Sequence, residues 1–553
     1  MKKTSLGIFT VASLAIACQS GNQAGYDASG LDSTALASIT EEAYKSYVMK
    51  LSSDEFLGRK PFTKGDTLTV NYIQEQFKQL GLSPGNGDSY FQEVPLVEID
   101  TKPVSPTLTF TGANGSLTVK HLDDFVVSSK RLQNDIKINQ SELVFVGFGI
   151  VAPEFNWNDY ANIDVKGKTV VAMVSDPGRY DKSLFKADTM TYYGRWDYKY
   201  EEAARQGAAG ILLIHETGAA SYGWNVVRTG WAGPQLAMVS DDKGASKTEF
   251  EGWISQETAT KLLNLAGLPK DIQEQAKKTG FKPVPMPVTT TFALKNEFRE
   301  SKTNNVIAKI EGSKRPDEVI IYTAHWDHLG IGEPVNGDSI YNGAIDNASG
   351  VAALFELAKA FKAAKVKPER TIVFIALTSE EEGLLGSEYY TQHPIYPLKK
   401  TVANLNIDAF SPLGATKDVS VVGFGQTEIE DYVIKSAAKF NRTVKGERNP
   451  TTGGFYRSDH FNFVKNGVPG LFMGSGSDFM EQDSTVINKR KAALGGRYHT
   501  VRDEVTEDWS FDGILADIKL FFDIGYTMSM EKSFPNFKPA SEFKELGDKR
   551  LAK

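Results

Sequence analysis

The stretch TIVFIALTSEEEG, residues 371–383, decides the fold. Thr371 to Leu377 is a nearly unbroken apolar run rich in Ile and Val, and Glu380, Glu381 and Glu382 follow it closely. A short run of that composition fits a strand covered on both faces, as in a parallel sheet. Working outward, Val319 to Ala324 (VIIYTA) is a second such run and ends against His325. Val402 to Ile407 (VANLNI) is a third and ends against Asp408. Between the strands, Val351, Leu354, Phe355, Ala358 and Phe361 recur at helical spacing, with Ser349-Gly350 opening the helix. The alternation predicts an α/β layered domain, its central sheet mixed but mostly parallel and flanked by helices. Ligands of such sheets bind at the carboxyl ends of the strands, so three strands deliver acids and a His to one edge.

Three segments add to that edge. TAHWDHLG (323–330) carries Asp327 beside His325, NGAIDNASG (342–350) carries Asp346, and GRYHTVRDE (496–504) carries His499. Imidazoles and carboxylates without a thiolate are the ligand set of a divalent metal that performs hydrolysis. Each residue alone has an ordinary meaning. Three consecutive acids are usually a solvated face, Asp346 is placed to cap the following helix, and a single His is more often structural. Gathered at strand ends, they read as a metal site. His121, His215 and His393 have no partner motif, and His328 lies near His325 but off the motif.

These segments resemble the M28 family of zinc exopeptidases, whose best-known members are two-zinc aminopeptidases. The resemblance covers roughly 285–553 and, more loosely, 36–130. It implies that Asp346 bridges two zinc ions. One ion is then held with Glu381 and His499, the other with His325 and Asp408. It also implies that Glu380 is the general base and that Asp327 orients His325. His460, in YRSDHFNF, falls in a segment similar to one that lines the family's cleft, and Tyr456 nearby is a candidate hydrogen-bond donor to the oxyanion.

Between about 140 and 265 the texture changes. LVFVGFGI (143–150), TVVAMV (169–174) and GILLI (210–214) read as strands bounded by glycines, and EEAARQG (201–207) as a short helix. With NDYANIDVKGKTVVAMV they resemble a protease-associated (PA) domain, commonly inserted in such peptidases. Trp196, Trp224, Trp231 and Tyr222 gather here and are read as packing for a small β-rich core rather than as a lid.

The chain opens MKKTSLGIFTVASLAIACQS. Lys2 and Lys3 precede an apolar Leu6–Ala17 segment too short to span a membrane. Ala15-Ile16-Ala17 before Cys18 resembles a bacterial lipobox, with lipid on Cys18, and Gln19 after it favours the outer membrane by the bacterial sorting rule. Cys18 is the chain's single Cys, so no intramolecular disulfide forms. The expected organisation is a lipoprotein signal peptide at 1–17, a flexible tether at 18–35, a zinc peptidase domain from 36–135 and 275–553, and an inserted PA-like domain at 136–274. The charged, Pro-interrupted tail from Glu531 is expected either to wrap the surface or to be partly loose.

A net charge of −7 over 553 residues, without a basic patch, argues against nucleic-acid binding. The expected function is that of a zinc-dependent exopeptidase with two Zn ions and peptide substrates. It would be an aminopeptidase first, using water acidified by the metals, and lipid-anchored in the cell envelope facing the periplasm or exterior. The alternatives are a glutaminyl cyclase-like acyltransferase, a carboxypeptidase of the same fold, and a non-catalytic receptor. The intact base and ligands count against the last.

Overall fold

The computed structural model describes residues 30–552, so Cys18 and the signal segment lie outside the described residues. After a short helix at Ser33–Ser38, the described residues form two longer helices, α1 (Glu41–Leu51) and α2 (Lys64–Gln79). Long antiparallel strands β1 (Phe91–Pro103) and β2 (Val284–Ile310) follow. Then come β3 (Arg315–His325), α3 (Ser349–Ala363), β4 (Arg370–Leu377), β5 (Thr401–Asn406), β6 (Asp418–Val421), β7 (Thr443–Gly446), β8 (Gly470–Ser475) and α4 (Asp512–Met530).

Their order in the sheet is β2-β4-β3-β5-β8-β6-β7. The β4/β3, β3/β5, β5/β8 and β6/β7 pairs are parallel, while β2/β4 and β8/β6 are antiparallel. This is the mixed, mostly parallel sheet expected from the sequence. Side chains alternate across it, as strand geometry requires. Ile320, Tyr322 and Ala324 of β3 face one large core with Ile372, Phe374 and Ala376 of β4. Val319, Ile321, Val373, Ile375 and Leu377 face a smaller core on the other side. Helices α1, α2, α3 and α4 cover the larger face. Because β3, β4 and β5 run in parallel, His325, Glu380 and Asp408 emerge at one edge.

A second pair of cores draws on residues 108–294, a wider span than 136–274. The strands Asp135–Phe145, Thr169–Met173, Gly210–His215 and Phe250–Ser255 lie parallel there. The run LVFVGFGI leaves the strand at Phe145, because Gly147 and Gly149 take left-handed φ values of 63° and 64°. Trp196, Tyr222, Trp224 and Trp231 pack against this core, as expected. The tail does wrap the molecule, with Phe537 and Phe543 buried among Phe455, Tyr456, Phe461 and Val464. Among the described residues, no helix is long and apolar enough to cross a membrane.

Candidate metal centre

His325 is the last residue of β3, and Asp408 follows β5 after one residue. Glu380 and Glu381 lie in the turn after β4, held there by Asp327. The Asp327 carboxylate accepts the backbone N–H of Glu380 at 3.1 Å and of Glu381 at 3.3 Å. His325 Nδ1 meets the Asp327 carbonyl oxygen at 3.2 Å and the Asp327 carboxylate only at 3.8 Å. Asp327 therefore positions the two glutamates more directly than it positions His325. Asp346 sits just before α3, where Asp503 accepts the N–H groups of Ile345 and Asp346. The Asn347 side chain ties this loop to Ile407 and Ala409, beside Asp408.

The two oxygens of Asp346 face different partners. Oδ1 is 3.2 Å from His325 Nε2, which is itself 3.2 Å from Asp408 Oδ1. Oδ2 is 3.3 Å from His499 Nε2, which is 3.0 Å from Glu381 Oε2. A tetrahedral ion with bonds of about 2.0–2.1 Å holds its ligand atoms roughly 3.3 Å apart. Each side of Asp346 thus matches one face of such an ion. Glu380 stands farther off, with Oε2 3.9 Å from His325 Nε2. The electrostatics agree. Burial alone would lower the His499 pKa, yet Asp346 and Glu381 push it up to about 10. His325 is likewise raised, against its burial, by Glu380, Asp346 and Asp408. A field that favours protonated imidazoles also favours a cation. The donor set and its spacing therefore fit zinc at two positions.

Two residues depart from the sequence expectation. His328, left off the motif, is buried with Nδ1 2.6 Å from Glu381 Oε1, and its ring centroid is 5.6 Å from that of His499. It belongs to the group around Asp346, Glu381 and His499. Tyr456 points elsewhere. Its hydroxyl donates to Glu542 at 2.7 Å, and its ring packs among Phe455, Phe461 and Tyr192. The structure commits that hydroxyl to Glu542 rather than to an oxyanion.

The model of peptidase family M28 matches residues 305–521, the span that holds all five expected ligands. These residues are an M28 peptidase domain. A probable zinc metalloprotease of Pyricularia oryzae is 42% identical over 91 residues, 16% of this chain and 18% of that protein. A probable glutamate carboxypeptidase of Arthroderma benhamiae is 33% identical over 205 residues, 34% of this chain and 26% of the relative. The chain thus spans about a fifth to a quarter of the length of these curated relatives. Among solved structures, the aminopeptidase from Aneurinibacillus sp. strain AM-1 is similar with a TM-score of 0.52 and 19% identity, over 91% of this chain and 97% of that one. At that identity the likeness shows the fold.

The M28 domain also places residues with no motif of their own. Ser458 donates to Asp408 Oδ2 at 2.5 Å, leaving Oδ1 toward His325. Arg59, from the segment between α1 and α2, donates to the carbonyls of Leu51, Trp326, Asn342 and Gly343. It pins the loops of His325 and Asp346 together from behind.

Proposed function

We propose that this chain is a two-zinc exopeptidase that removes residues from the N-terminus of peptides. One observation carries the reading: the two oxygens of Asp346 each face a separate His–carboxylate pair, at 3.2 and 3.3 Å. When bound, two zinc ions supply Lewis acidity, acidifying a water and polarising the scissile carbonyl. Asp346, His325 and Asp408 would hold one ion, and Asp346, Glu381 and His499 the other. Glu380 gathers with His325 and Asp408, but its Oε2 stays 3.9 Å from His325 Nε2 where Asp346 and Asp408 come to 3.2 Å, so the reading leaves it out of both ligand sets. Burial, then the neighbouring Asp408 and Glu381, raise its carboxyl well above the ordinary range. It is therefore suited to take a proton from water and return it to the leaving amine. Asp327, through the two amide N–H groups it accepts, keeps base and ligand in register.

The reading includes a PA-like insert at 136–274 and a lipid on Cys18 that holds the protein at the outer membrane, facing the periplasm or exterior. Fractionation of Cys18→Ser tests the anchor: the variant leaves the membrane fraction or remains unprocessed. The activity is tested with a panel of aminoacyl-anilides and N-terminal Gln peptides, with and without chelator. Anilide hydrolysis that stops on chelation and returns with Zn²⁺ is expected. Cyclisation of N-terminal Gln without anilide hydrolysis overturns the reading in favour of a cyclase.

A further inference from the structure

The rim of the metal cluster carries two arginines that the mechanism above does not use. Arg457 immediately precedes Ser458, whose hydroxyl holds Asp408. Its Nη2 donates to the Thr452 carbonyl at 2.9 Å, and its Nε is buried without a hydrogen-bond partner. Arg195 comes from the other part of the molecule, at the start of the helix Trp196–Arg205. It is 9% exposed and reaches the same turn, its Cδ lying 3.5 Å from where a Cβ on Gly453 would be. Its Nε is also buried without a hydrogen-bond partner, 3.5 Å from Asp197 Oδ1. Among the described residues, Asp197 is the one carboxylate within ion-pair distance of either guanidinium.

A guanidinium has five N–H donors in a planar fork that matches a carboxylate, and burying it without an anion is costly. Here two guanidiniums share one turn against a single acid. Burial first, and then the like charge of Arg195, hold Arg457 below its usual range. Two phenols border the place. Tyr222 feels both arginines. Tyr498 stacks on His499 with ring centroids 3.8 Å apart and is 73% exposed, which keeps this side of the cluster open. The surplus of positive charge therefore lies on the side of Tyr498, whose ring stacks on His499 of the metal cluster.

We infer that Arg195 and Arg457 bind a carboxylate of the peptide substrate beside the scissile bond. The inference rests on the peptidase reading of the site and deepens it. It makes the site one for acidic substrates, completed by the insert through Arg195. That carboxylate is either the free C-terminus of a short peptide or the side chain of a terminal Asp or Glu.

Two substrate pairs separate the sources: Leu-Leu against Leu-Leu-amide, and Glu-anilide against Gln-anilide. The wild-type enzyme should prefer the acid in one pair. Arg195→Gln and Arg457→Gln should each cut that preference by roughly tenfold to a hundredfold, the scale of a charge-assisted hydrogen bond. Arg195→Lys should restore part of it. A merely structural defect lowers both members of a pair together and leaves the ratio alone. No acid preference in either pair, or ratios that survive both substitutions, overturns the inference while the peptidase stands. If no peptide is hydrolysed at all, thermal shift by leucine against leucinamide decides. A shift for leucine only, lost in both variants, retains the carboxylate site, and equal shifts remove it.

Discussion

At the residue scale, the proposed function gives the adjacent acids Glu380 and Glu381 different work, because one strand end points them differently. Glu381 Oε2 lies 3.0 Å from His499 Nε2, inside a ligand set, whereas Glu380 stays 3.9 Å from His325 Nε2. Glu380→Gln keeps the shape and the Asp327 contact to the backbone but removes the base. Zinc content should stay at the wild-type level while kcat falls at least ~10²-fold, the usual scale of a general base. KM should move little, since the loss lies in the transition state. Glu381→Gln should instead lower zinc content. Metal analysis beside steady-state kinetics checks both. A Glu380→Gln protein that loses zinc while Glu381→Gln keeps it reverses the roles. Apart from His328, the residues that the structure gathers as candidate ligands could be picked out in the sequence because each lies in a segment with its own pattern. His328 could not, since nothing local distinguishes a His that turns back on Glu381 from one on the surface. Tyr456 misled for a similar reason: its neighbours suggested the cleft, but Glu542, far along the chain, takes its hydroxyl.

At the element scale, the strands and α3 were readable because composition and periodicity act locally, and each fully buried strand must be apolar on both faces. What joins the elements was not readable. Arg59 is the clearest case. The chain reaches it through Leu57, Gly58 and Arg59, all with left-handed φ, and a Cβ on Gly58 would sit 2.5 Å from the Gly330 carbonyl oxygen. The guanidinium then satisfies four carbonyls from three segments. Lys has a single ammonium and cannot span that fork. Arg59→Lys should therefore cost about 2–4 kcal/mol, from carbonyls left unpaired in a buried place. It should also weaken zinc retention, because the loops of His325 and Asp346 lose their common tie. Urea unfolding and competition with a chelator measure the two effects. A variant as stable as the wild type would make Arg59 a bystander. The wide span of the second pair of cores escaped the sequence for a related reason. An alternating strand such as β2 reads alike whichever core it serves, and β2 contributes Leu294 to one and Val306 to another.

At the scale of the whole molecule, the sheet edge concentrates negative charge that the fold alone does not balance. Asp327, Asp346, Glu380, Glu381 and Asp408 converge on His325, His328 and His499, and burial raises Asp327 to about 8. Bringing those carboxylates together is unfavourable without cations, so the proposed function predicts that metal binding and folding are coupled. An ion bound only by the folded state stabilises it in proportion to the logarithm of its concentration over Kd. Chelation should therefore lower Tm, and added Zn²⁺ should restore it. The shared ligand sharpens the expectation. Asp346→Ala removes a donor from both sets at once, so its Tm should no longer respond to chelator and its zinc content should approach none. Asp408→Ala damages one set and should retain part of both the zinc and the response. Calorimetry with elemental analysis of the three proteins separates the cases. If Asp346→Ala keeps one tightly held zinc and a chelator-sensitive Tm, the two sites do not share Asp346, and the centre is built around a single ion.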